Sequence, residues 1–594
     1  MIFGKHINRY YLKYGWMLML GLFALIIVDI GLLKVPELYR MVVNGINYGE
    51  NEVNGVMVAF DMDFLLDQVC LPLCFVIFMI VFGRFLWRVG FFGSAIRVER
   101  DIREEMFDHC KDLSQQYYQV NKVGNLMSLF TNDLDTVQDC FGNGVLTFLD
   151  AILMGGMSFI KMFRMNWALT AFTTVPMIFL FIAALLVGKA ETKKWDERQA
   201  KFSELSDFSQ ESFSGIAVIK AFAKEAKELI AFRWLNKDNE KVNIEYTRIS
   251  TLMNVVVTLF VESIICIILG FGGYLVYKGT FNAGELIEFI GYFTSIVWPI
   301  MAVTFLIEMH ARGTASLKRI SELLDAPIDV TDGPELTNPD PDIKGGIEFR
   351  NLSFTYPDGS VEVLDDVSFK IEAGENVGLI GKTGSGKTSV VDLITRTYNI
   401  PDGKLFVDGM DVNTIPIRDL RKHIAYVPQD NFLFSQTIGT NIAFAFKDDS
   451  DREAIVESAR MADVHDNISE FPEQYDTVLG ERGVTVSGGQ KQRISIARAL
   501  MKGAEILILD DSVSAVDTKT EKVILENLKE TRKGKTTILI AHRITTIEHM
   551  DKIIFLDDGK VVDVGTHEEL YARCPAYQEM VEMQRLEDER KERG

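Results

Sequence analysis

Two different hydrophobic patterns divide this chain. In the first half, apolar residues form runs of about twenty, the length that crosses the hydrocarbon core of a bilayer. In the second half, short β-rich runs alternate with helical patterns, which is typical of an α/β domain. The first pattern predicts six membrane spans, at residues 15–33, 69–87, 145–163, 167–187, 252–277 and 286–307.

Charges next to the spans predict their orientation. The loop after the first span is acidic, whereas the second span ends with Arg84, Arg88 and Arg97. Lysine and arginine are enriched on the cytoplasmic side of membrane proteins. We therefore expect both termini in the cytoplasm of an integral, multi-pass membrane protein.

Two long inner connections, residues 97–143 and 188–250, are polar, rich in helix formers and free of proline. As helices rising about 1.5 Å per residue, they would extend ~30 Å into the cytoplasm and return. Arms of this length can reach a partner domain below the membrane. They argue against a cytoplasmic domain that is merely anchored to the bilayer.

The domain organisation follows from these patterns. The fold class is an all-α transmembrane domain of six helices with long cytoplasmic extensions, followed by an α/β domain. A stretch rich in proline and acidic residues separates them and is typical of a linker. We expect a membrane domain at 1–325, a linker at 326–345, the α/β domain at 346–583, and a charged helix end or disordered tail at 584–594.

Composition narrows the function. The formal net charge is −21, which argues against nucleic acid as a partner, because proteins that neutralise phosphates are basic. The six cysteines show neither zinc-ligand spacing nor a disulfide framework. Four acidic residues fall within or near spans and either line a cavity or sit at span ends: Asp29, Asp150, Glu262 and Glu288.

The strongest chemical signal is GKTGSGKT at residues 381–388, between an apolar strand and a helical pattern. It matches the phosphate-binding pattern G-x-x-x-x-G-K-[ST], whose backbone N–H groups wrap phosphates. Lys387 would reach the β- and γ-phosphates of ATP, and the Thr388 hydroxyl would bind Mg²⁺. The predicted ATP-binding residues of this loop are Gly381, Lys382, Thr383, Gly384, Ser385, Gly386, Lys387, Thr388 and Ser389.

Further residues end apolar strands or open a helix. The strand ILILDD delivers Asp510 to its tip, where a carboxylate suits a Mg²⁺ site. His542 ends another strand, and we interpret it as a γ-phosphate contact in preference to a structural histidine. The sequence VSGGQ at 486–490 precedes a helix, whose N-terminus attracts anions. Because the chain already has a phosphate loop, this second site is predicted to face another chain's nucleotide.

Together these motifs resemble the ATP-binding cassette (ABC) transporters, specifically exporter-type half-transporters, over essentially the whole chain. The resemblance implies that ATP and Mg²⁺ bind, that Tyr356 stacks on adenine, and that Asp510 binds Mg²⁺ together with Thr388 and Gln429. It makes Asp511, His542 and Gln429 the catalytic residues. It also assigns the signature that acts on the partner's ATP, which is Ser487, Gly488, Gly489 and Gln490, and the inter-subunit loop residue Asp517.

The same resemblance covers the mechanical parts. The segments NLMSLFTNDLDTV and SGIAVIKAFAKE are similar to the family's two cytoplasmic loops, whose short coupling helices dock on the cassettes. The segment TVLGERG, before the signature, is similar to the part of exporters that contacts the membrane-domain arms.

Two positions depart from the family pattern. Val486 stands where leucine is usual, which leaves the functional residues of the signature intact. Asp511 stands where the catalytic glutamate is expected, one methylene short for a general base. The family contains heterodimeric exporters in which one subunit has this change, so we expect a slow ATP site here and a partner that carries glutamate.

The function expected is ATP-driven export of a small amphipathic or hydrophobic drug, lipid or peptide. Three alternatives stay open: an inward transporter on the same scaffold, a homodimeric exporter, and a non-transporting regulator or ATP-gated channel. The sequence does not identify the substrate.

Overall fold

The computed structural model describes residues 2–53, 56–333, 336–339, 341–446, 448–480, 486–514 and 516–593. The chain divides into two compact units. The first comprises Met1–Lys111 and Val123–Ala326, and the second comprises Asp112–Lys122 and Pro327–Gly594.

The first unit contains six helices that are long and apolar enough to cross a membrane, numbered here as spans 1 to 6. Each contains one of the six predicted runs, so the predicted helical membrane domain is confirmed. Short π-helical stretches interrupt span 2 and span 3. The spans are Gly15–Tyr48, Met62–Asp112, Val123–Met165, Trp167–Ser214, Glu225–Tyr277 and Ala283–Leu324.

Close packing joins these helices. A Cβ atom on Gly90 of span 2 would lie 2.7 Å from the Cα atom of Gly21 in span 1, so the absence of side chains at both positions allows the two backbones to meet. Span 6 packs against spans 1 and 3, and span 5 packs against span 4. Apolar side chains remain exposed along the spans, as expected where lipid is the solvent.

Smaller elements complete the first unit. A short helix, Asn8–Lys13, precedes span 1. A two-stranded antiparallel ribbon, β1 (Glu50–Val53) and β2 (Val56–Ala59), joins spans 1 and 2. Between spans 4 and 5 lies the helix Ile216–Ala221, here called tip helix 2.

A matching short helix, Gln115–Val120, lies between spans 2 and 3 and is called tip helix 1. It belongs to the second unit, where the Tyr398 hydroxyl donates a hydrogen bond of 3.0 Å to Gln119 Oε1. The second segment that the sequence suggested for coupling, residues 214–225, contains tip helix 2, whereas the first, residues 125–137, lies within span 3 and follows tip helix 1.

The second unit is built on two sheets. The larger has six strands in the order β12-β11-β5-β10-β9-β8, all parallel except β12, and the smaller is antiparallel in the order β4-β3-β6-β7. This α/β fold confirms the predicted class. The strands are β3 (Ile347–Thr355), β4 (Glu362–Ile371), β5 (Asn376–Gly381), β6 (Leu405–Val407), β7 (Met410–Asp411), β8 (Ile424–Val427), β9 (Ile506–Asp510), β10 (Thr536–Ile540), β11 (Lys552–Asp557) and β12 (Lys560–Gly565).

Helices cover both faces of the larger sheet. Alternate side chains of β9 enter different cores, with Leu507 and Leu509 on one face and Ile506 and Ile508 on the other. Burial on both faces explains why β9 is apolar until its final residue. The helices are Lys387–Ile394, Ile417–Lys422, Ile438–Ile442, Arg452–Met461, His465–Ser469, Gly488–Met501, Thr518–Thr531, Ile544–Ile547, His567–Arg573 and Pro575–Arg593.

Candidate nucleotide-binding site

The phosphate loop connects the central strand β5 with the helix Lys387–Ile394. Gly384 and Gly386 have φ angles of +84° and +94°, a region in which only glycine is unstrained. A Cβ atom on Gly386 would also lie 2.6 Å from Leu364 Cδ2. The glycine spacing found in the sequence therefore reflects both backbone conformation and lack of space.

Lys387 lies inside this loop and is only 6% exposed. Its Nζ atom donates hydrogen bonds to the carbonyl oxygens of Gly381 (2.9 Å) and Lys382 (2.8 Å). Burial lowers the pKa of Lys387, while the nearby Asp510 and Asp511 raise it. The loop carbonyls hold the ammonium group at the place where a phosphate would compete for it.

Asp510 ends β9 and is 2% exposed. Burial raises its pKa, opposed by a hydrogen bond from Thr388, and the Tyr426 hydroxyl lies 3.4 Å from Asp510 Oδ2. A buried carboxylate next to the Thr388 hydroxyl is a set of hard oxygen donors that fits Mg²⁺. The structure therefore brings together two of the three predicted Mg²⁺ ligands.

The third predicted ligand, Gln429, lies two residues beyond β8. Its side chain is exposed, and its carbonyl oxygen accepts a long hydrogen bond of 3.4 Å from Asn431 Nδ2. No hydrogen bond joins its side chain to Asp510 or Thr388 in the described part of the chain. Its proposed roles at the metal and the attacking water remain predictions.

A second acid accompanies Asp510. Asp392 lies one helical turn after Thr388, is nearly buried, and has its pKa raised to about 6 by burial and by the charge of Asp510. The sequence analysis did not single it out, because an aspartate inside a helix gives no signal of what it faces.

Asp511 follows Asp510 with a φ angle of +46°. Aspartate enters this left-handed region more readily than residues with longer side chains. Its backbone N–H donates to the carbonyl of Ile540 on β10, and its carbonyl accepts hydrogen bonds from Gln492 Nε2 and the Ser514 hydroxyl. Strands β9 and β10 therefore hold the backbone of Asp511 at the carboxyl edge of the sheet.

His542 lies at the same edge, since it follows β10 by two residues and Ile540 pairs with Asp510. Its imidazole is exposed. Gln584 in the C-terminal helix Pro575–Arg593 holds this loop from behind: its Nε2 donates to the His542 carbonyl (2.7 Å), and its Oε1 accepts from the Ile544 N–H (2.8 Å).

Gln584 is a residue that sequence reasoning missed, since it lies in the segment expected to be a charged helix end or disordered tail. That segment is helical as far as Arg593.

Tyr356 follows β3, and its hydroxyl lies 2.8 Å from the Ser389 hydroxyl on the phosphate-loop helix. Its ring meets that of Tyr398 edge-on, with 5.0 Å between ring centroids. Burial raises the pKa of Tyr356. The fold therefore brings the predicted adenine-stacking ring beside the phosphate loop.

The signature opens the helix Gly488–Met501. Ser487 is its N-cap, and the capping box is complete: the Gln490 N–H donates to Ser487 Oγ (3.2 Å) and the Ser487 N–H donates to Gln490 Oε1 (2.9 Å). Gly488 and Gly489 leave the first turn without side chains. No described hydrogen bond links this turn to the chain's own phosphate loop.

Asp517 also caps a helix, accepting hydrogen bonds of 3.1 Å from the N–H groups of Lys519 and Thr520. Its predicted inter-subunit contact is untested by a single chain. The predicted arm-contacting segment TVLGERG includes Glu481, Arg482 and Gly483, which lie outside the described residues.

The membrane acids occupy different environments. Glu288 is buried and pairs with Arg40 Nη1 at 2.9 Å. Asp29 is buried beside Asp150, which accepts a 3.1 Å hydrogen bond from the Trp298 indole.

Glu262 is exposed and lines a groove of about 780 Å³ along span 5 together with the polar Asn254, Thr258 and Ser263. Whether any of these four acids lines a transport cavity remains a prediction.

Comparisons with known proteins cover the chain almost completely. Residues 18–300 match the family model of the ABC transporter transmembrane region, and residues 364–514 match that of the ABC transporter. The probable multidrug resistance ABC transporter ATP-binding/permease protein YheI of Bacillus subtilis is 36% identical over 98% of this chain and 97% of its own length. The ATP-dependent lipid A-core flippase of Syntrophus aciditrophicus is 34% identical over 87% and 86%.

A solved structure of a bacterial Atm1-family ABC exporter with ATP bound superposes with a TM-score of 0.77 and 25% identity, covering 97% of this chain and 98% of that one. The resemblance seen in the motifs is thus confirmed over both halves. This chain belongs to the family of ABC transporters, in which ATP hydrolysis by the cassette is coupled to transport across a membrane.

Proposed function

We propose that this chain is the catalytically weak half of a heterodimeric exporter in a bacterial cytoplasmic membrane. The partner is a second half-transporter that carries glutamate where this chain has Asp511. The substrate is a small amphipathic or hydrophobic molecule, such as a drug, a lipid or a peptide. Support for this range comes from the relatives, whose names specify multidrug resistance and lipid flipping.

One observation carries the proposal: Asp511 stands in the position of the general base, while the phosphate loop, Asp510 and the functional residues of the signature match the family pattern. The carboxylate is a methylene shorter than glutamate, and its backbone is held on both sides by β10 and Gln492. A backbone held in this way does not move toward the nucleotide, so it does not compensate for a side chain that is ~1 Å shorter than glutamate. Proton transfer needs hydrogen-bond reach, so hydrolysis at this site is slow.

The chain's other residues bind and orient ATP. Lys387 exchanges its two carbonyl partners for the β- and γ-phosphates, and Tyr356 exchanges its Ser389 contact for the adenine ring. Thr388 and Asp510 hold Mg²⁺, with Gln429 completing the set; when bound, this ion neutralises phosphate charge. His542 contacts the γ-phosphate from the tip of β10.

The signature acts on the partner's nucleotide. Its helix is fourteen residues long and has a positive dipole end, with two glycines that let a phosphate approach the first turn. The signature thus completes the faster ATP site, which is built on the phosphate loop of the glutamate-bearing partner. Its residues are Ser487, Gly488, Gly489 and Gln490. Asp517 lies at the subunit boundary beside this site.

Coupling runs through the two tip helices. Tip helix 1 contacts Tyr398 within the second unit, and tip helix 2 has exposed apolar side chains, with Val218 62% exposed. We infer that tip helix 2 docks on the cassette of the partner, so that each cassette receives one loop from each chain.

Transport in inside-out vesicles tests this function. Vesicles containing the chain and its candidate partner should accumulate a substrate dye only with Mg-ATP, and Lys387→Ala should reduce that uptake. ATP-driven loss of preloaded dye would indicate an importer. Full activity of vesicles with this chain alone would indicate a homodimer. ATP-dependent ion conductance without accumulation would indicate a channel.

A further inference from the structure

A small groove of about 170 Å³ lies between span 1 and span 3 of the first unit. Its span 1 side is formed by Ile30, Leu33, Lys34 and Glu37. Helical residues four apart lie one above the other on the same face. Along this side, each charged residue therefore stands one turn beyond an apolar one: Lys34 beyond Ile30, and Glu37 beyond Leu33.

The span 3 side repeats this arrangement. Lys161 stands one turn beyond Met157, and Arg164 stands one turn beyond Ile160. With the amino terminus in the cytoplasm, both odd-numbered spans run outward. The apolar residues then face the middle of the bilayer, and the charged residues form a rim at the level of the outer head groups.

The rim carries an excess of positive charge. Glu37 is shared by Lys34, whose Nζ lies 2.6 Å away, and by Lys161. Arg164 is exposed and forms no ion pair or hydrogen bond within the described ranges of the chain. Three cations therefore face one carboxylate. Such an excess on the outer side departs from the usual distribution of lysine and arginine.

We propose that this groove binds a phosphate-bearing lipid of the outer leaflet. The lipid phosphate lies among Lys34, Lys161 and Arg164, since clustered ammonium and guanidinium groups recognise phosphate by charge-assisted hydrogen bonds. The first methylene groups of an acyl chain fill the apolar floor. The rest of the acyl chain runs along Ile30 and Ile160, whose side chains are 47% and 53% exposed.

This lipid is a bound ligand and not the cargo. It sits on the outer face of one chain, and its binding requires the groove and the membrane orientation, with no contribution from the ATP sites. A failure of the lipid test therefore leaves the proposed transport function untouched, and a failure of the transport test leaves the lipid site untouched.

Native mass spectrometry of the full chain in detergent, titrated with phosphatidylglycerol or phosphatidylcholine, tests the proposal. The wild-type chain should retain one phosphatidylglycerol in preference to phosphatidylcholine. Arg164→Gln should weaken phosphatidylglycerol binding roughly tenfold, the size of one charge-assisted hydrogen bond, without changing phosphatidylcholine binding. Because Arg164 has no internal partner within the described ranges, its loss should not disturb the fold.

Lys278→Gln is the matched control, because Lys278 is an exposed cation at the outer end of span 5 and packs on Tyr274, 4.9 Å from the ring centroid. It should leave binding unchanged. If Arg164→Gln does not yield folded protein, Lys34→Gln replaces it, since Lys161 still pairs with Glu37. Equal losses in the groove and control variants, no loss in either, or displacement of the lipid by millimolar inorganic phosphate would each overturn the proposal.

Discussion

The hydrogen bonds of Gln584 to the His542 loop predict how the rate of ATP hydrolysis depends on this residue. Gln584→Ala removes the donor to the His542 carbonyl and the acceptor for the Ile544 N–H. Each neutral hydrogen bond contributes about 0.5–1.5 kcal/mol net, so the loop loses ~1–3 kcal/mol of its preference for the observed conformation. A loss of about 1.4 kcal/mol lowers the ratio of that conformation to all others about tenfold.

Two measurements follow from this estimate. Amide hydrogen exchange at the Ile544 N–H should speed up by roughly fivefold to a hundredfold, because this group is the first N–H of its helix and loses its described acceptor. Single-turnover ATP hydrolysis by the purified chain should slow by up to roughly tenfold, with the KM for ATP unchanged, because the contacts of the phosphate loop remain.

Two variants separate positioning from general stability. Gln578→Ala is the matched control, because Gln578 lies on the same helix and its side chain contacts Glu582 Oε1 at 3.4 Å, away from the His542 loop. Gln584→Glu keeps the acceptor for Ile544 but loses the donor to His542, so it should retain slow exchange while still slowing hydrolysis. Gln584 does not position the His542 loop if Gln584→Ala leaves both exchange and hydrolysis at wild-type values, or if Gln578→Ala matches its effect.

Three further predictions concern the cassette and its loops. Lys387→Ala should lower photolabelling by a reactive ATP analogue at least about tenfold; unchanged labelling would contradict its phosphate contact. Burial raises the pKa of Asp392 from 3.8 to about 6. Its ionisation therefore lowers the free energy of unfolding of the nucleotide-free protein by about 3 kcal/mol. This stability is lost as pH rises from about 4 to about 6, and it stays lost at higher pH. Asp392→Asn should remove this part of the pH dependence of thermal unfolding; a profile parallel to wild type would show that burial does not govern it. Cysteines replacing Gln119 and Tyr398 should be joined within one chain by a short bis-maleimide. A cysteine replacing Val218 should instead cross-link to the cassette of the other chain. Products that join residue 218 to the cassette of its own chain would contradict docking of tip helix 2 on the partner.

The sequence predicted the parts of the site that depend on local backbone geometry. The phosphate loop requires glycines at left-handed positions such as Gly384, and Asp510 ends an otherwise apolar strand. The signature requires a capped helix start. These constraints act between residues close in sequence, so the spacing of the residues along the chain is enough to reveal them.

Contacts between distant segments could not be predicted in this way. Gln584 holds a carbonyl 42 positions earlier, and Glu288 pairs with Arg40 from another span. Asp517 illustrates the converse, since its visible contacts are those of a helix cap while its predicted role needs a second chain. Such contacts depend on how helices and strands pack against each other. The hydrophobic and polar pattern along one helix or strand carries no information about them.

If the length of the side chain at position 511 limits hydrolysis, the ATPase rates of variants at this position should show it. The purified chain alone should hydrolyse Mg-ATP slowly. Asp511→Glu should raise the rate at least about tenfold, although glutamate fits the left-handed backbone less easily. Asp511→Ala should change the slow rate only modestly, while Ser487→Ala in the complex with a glutamate-bearing partner should nearly abolish turnover. Brisk hydrolysis by the unmodified chain that is lost in Asp511→Ala and not raised in Asp511→Glu would contradict the account.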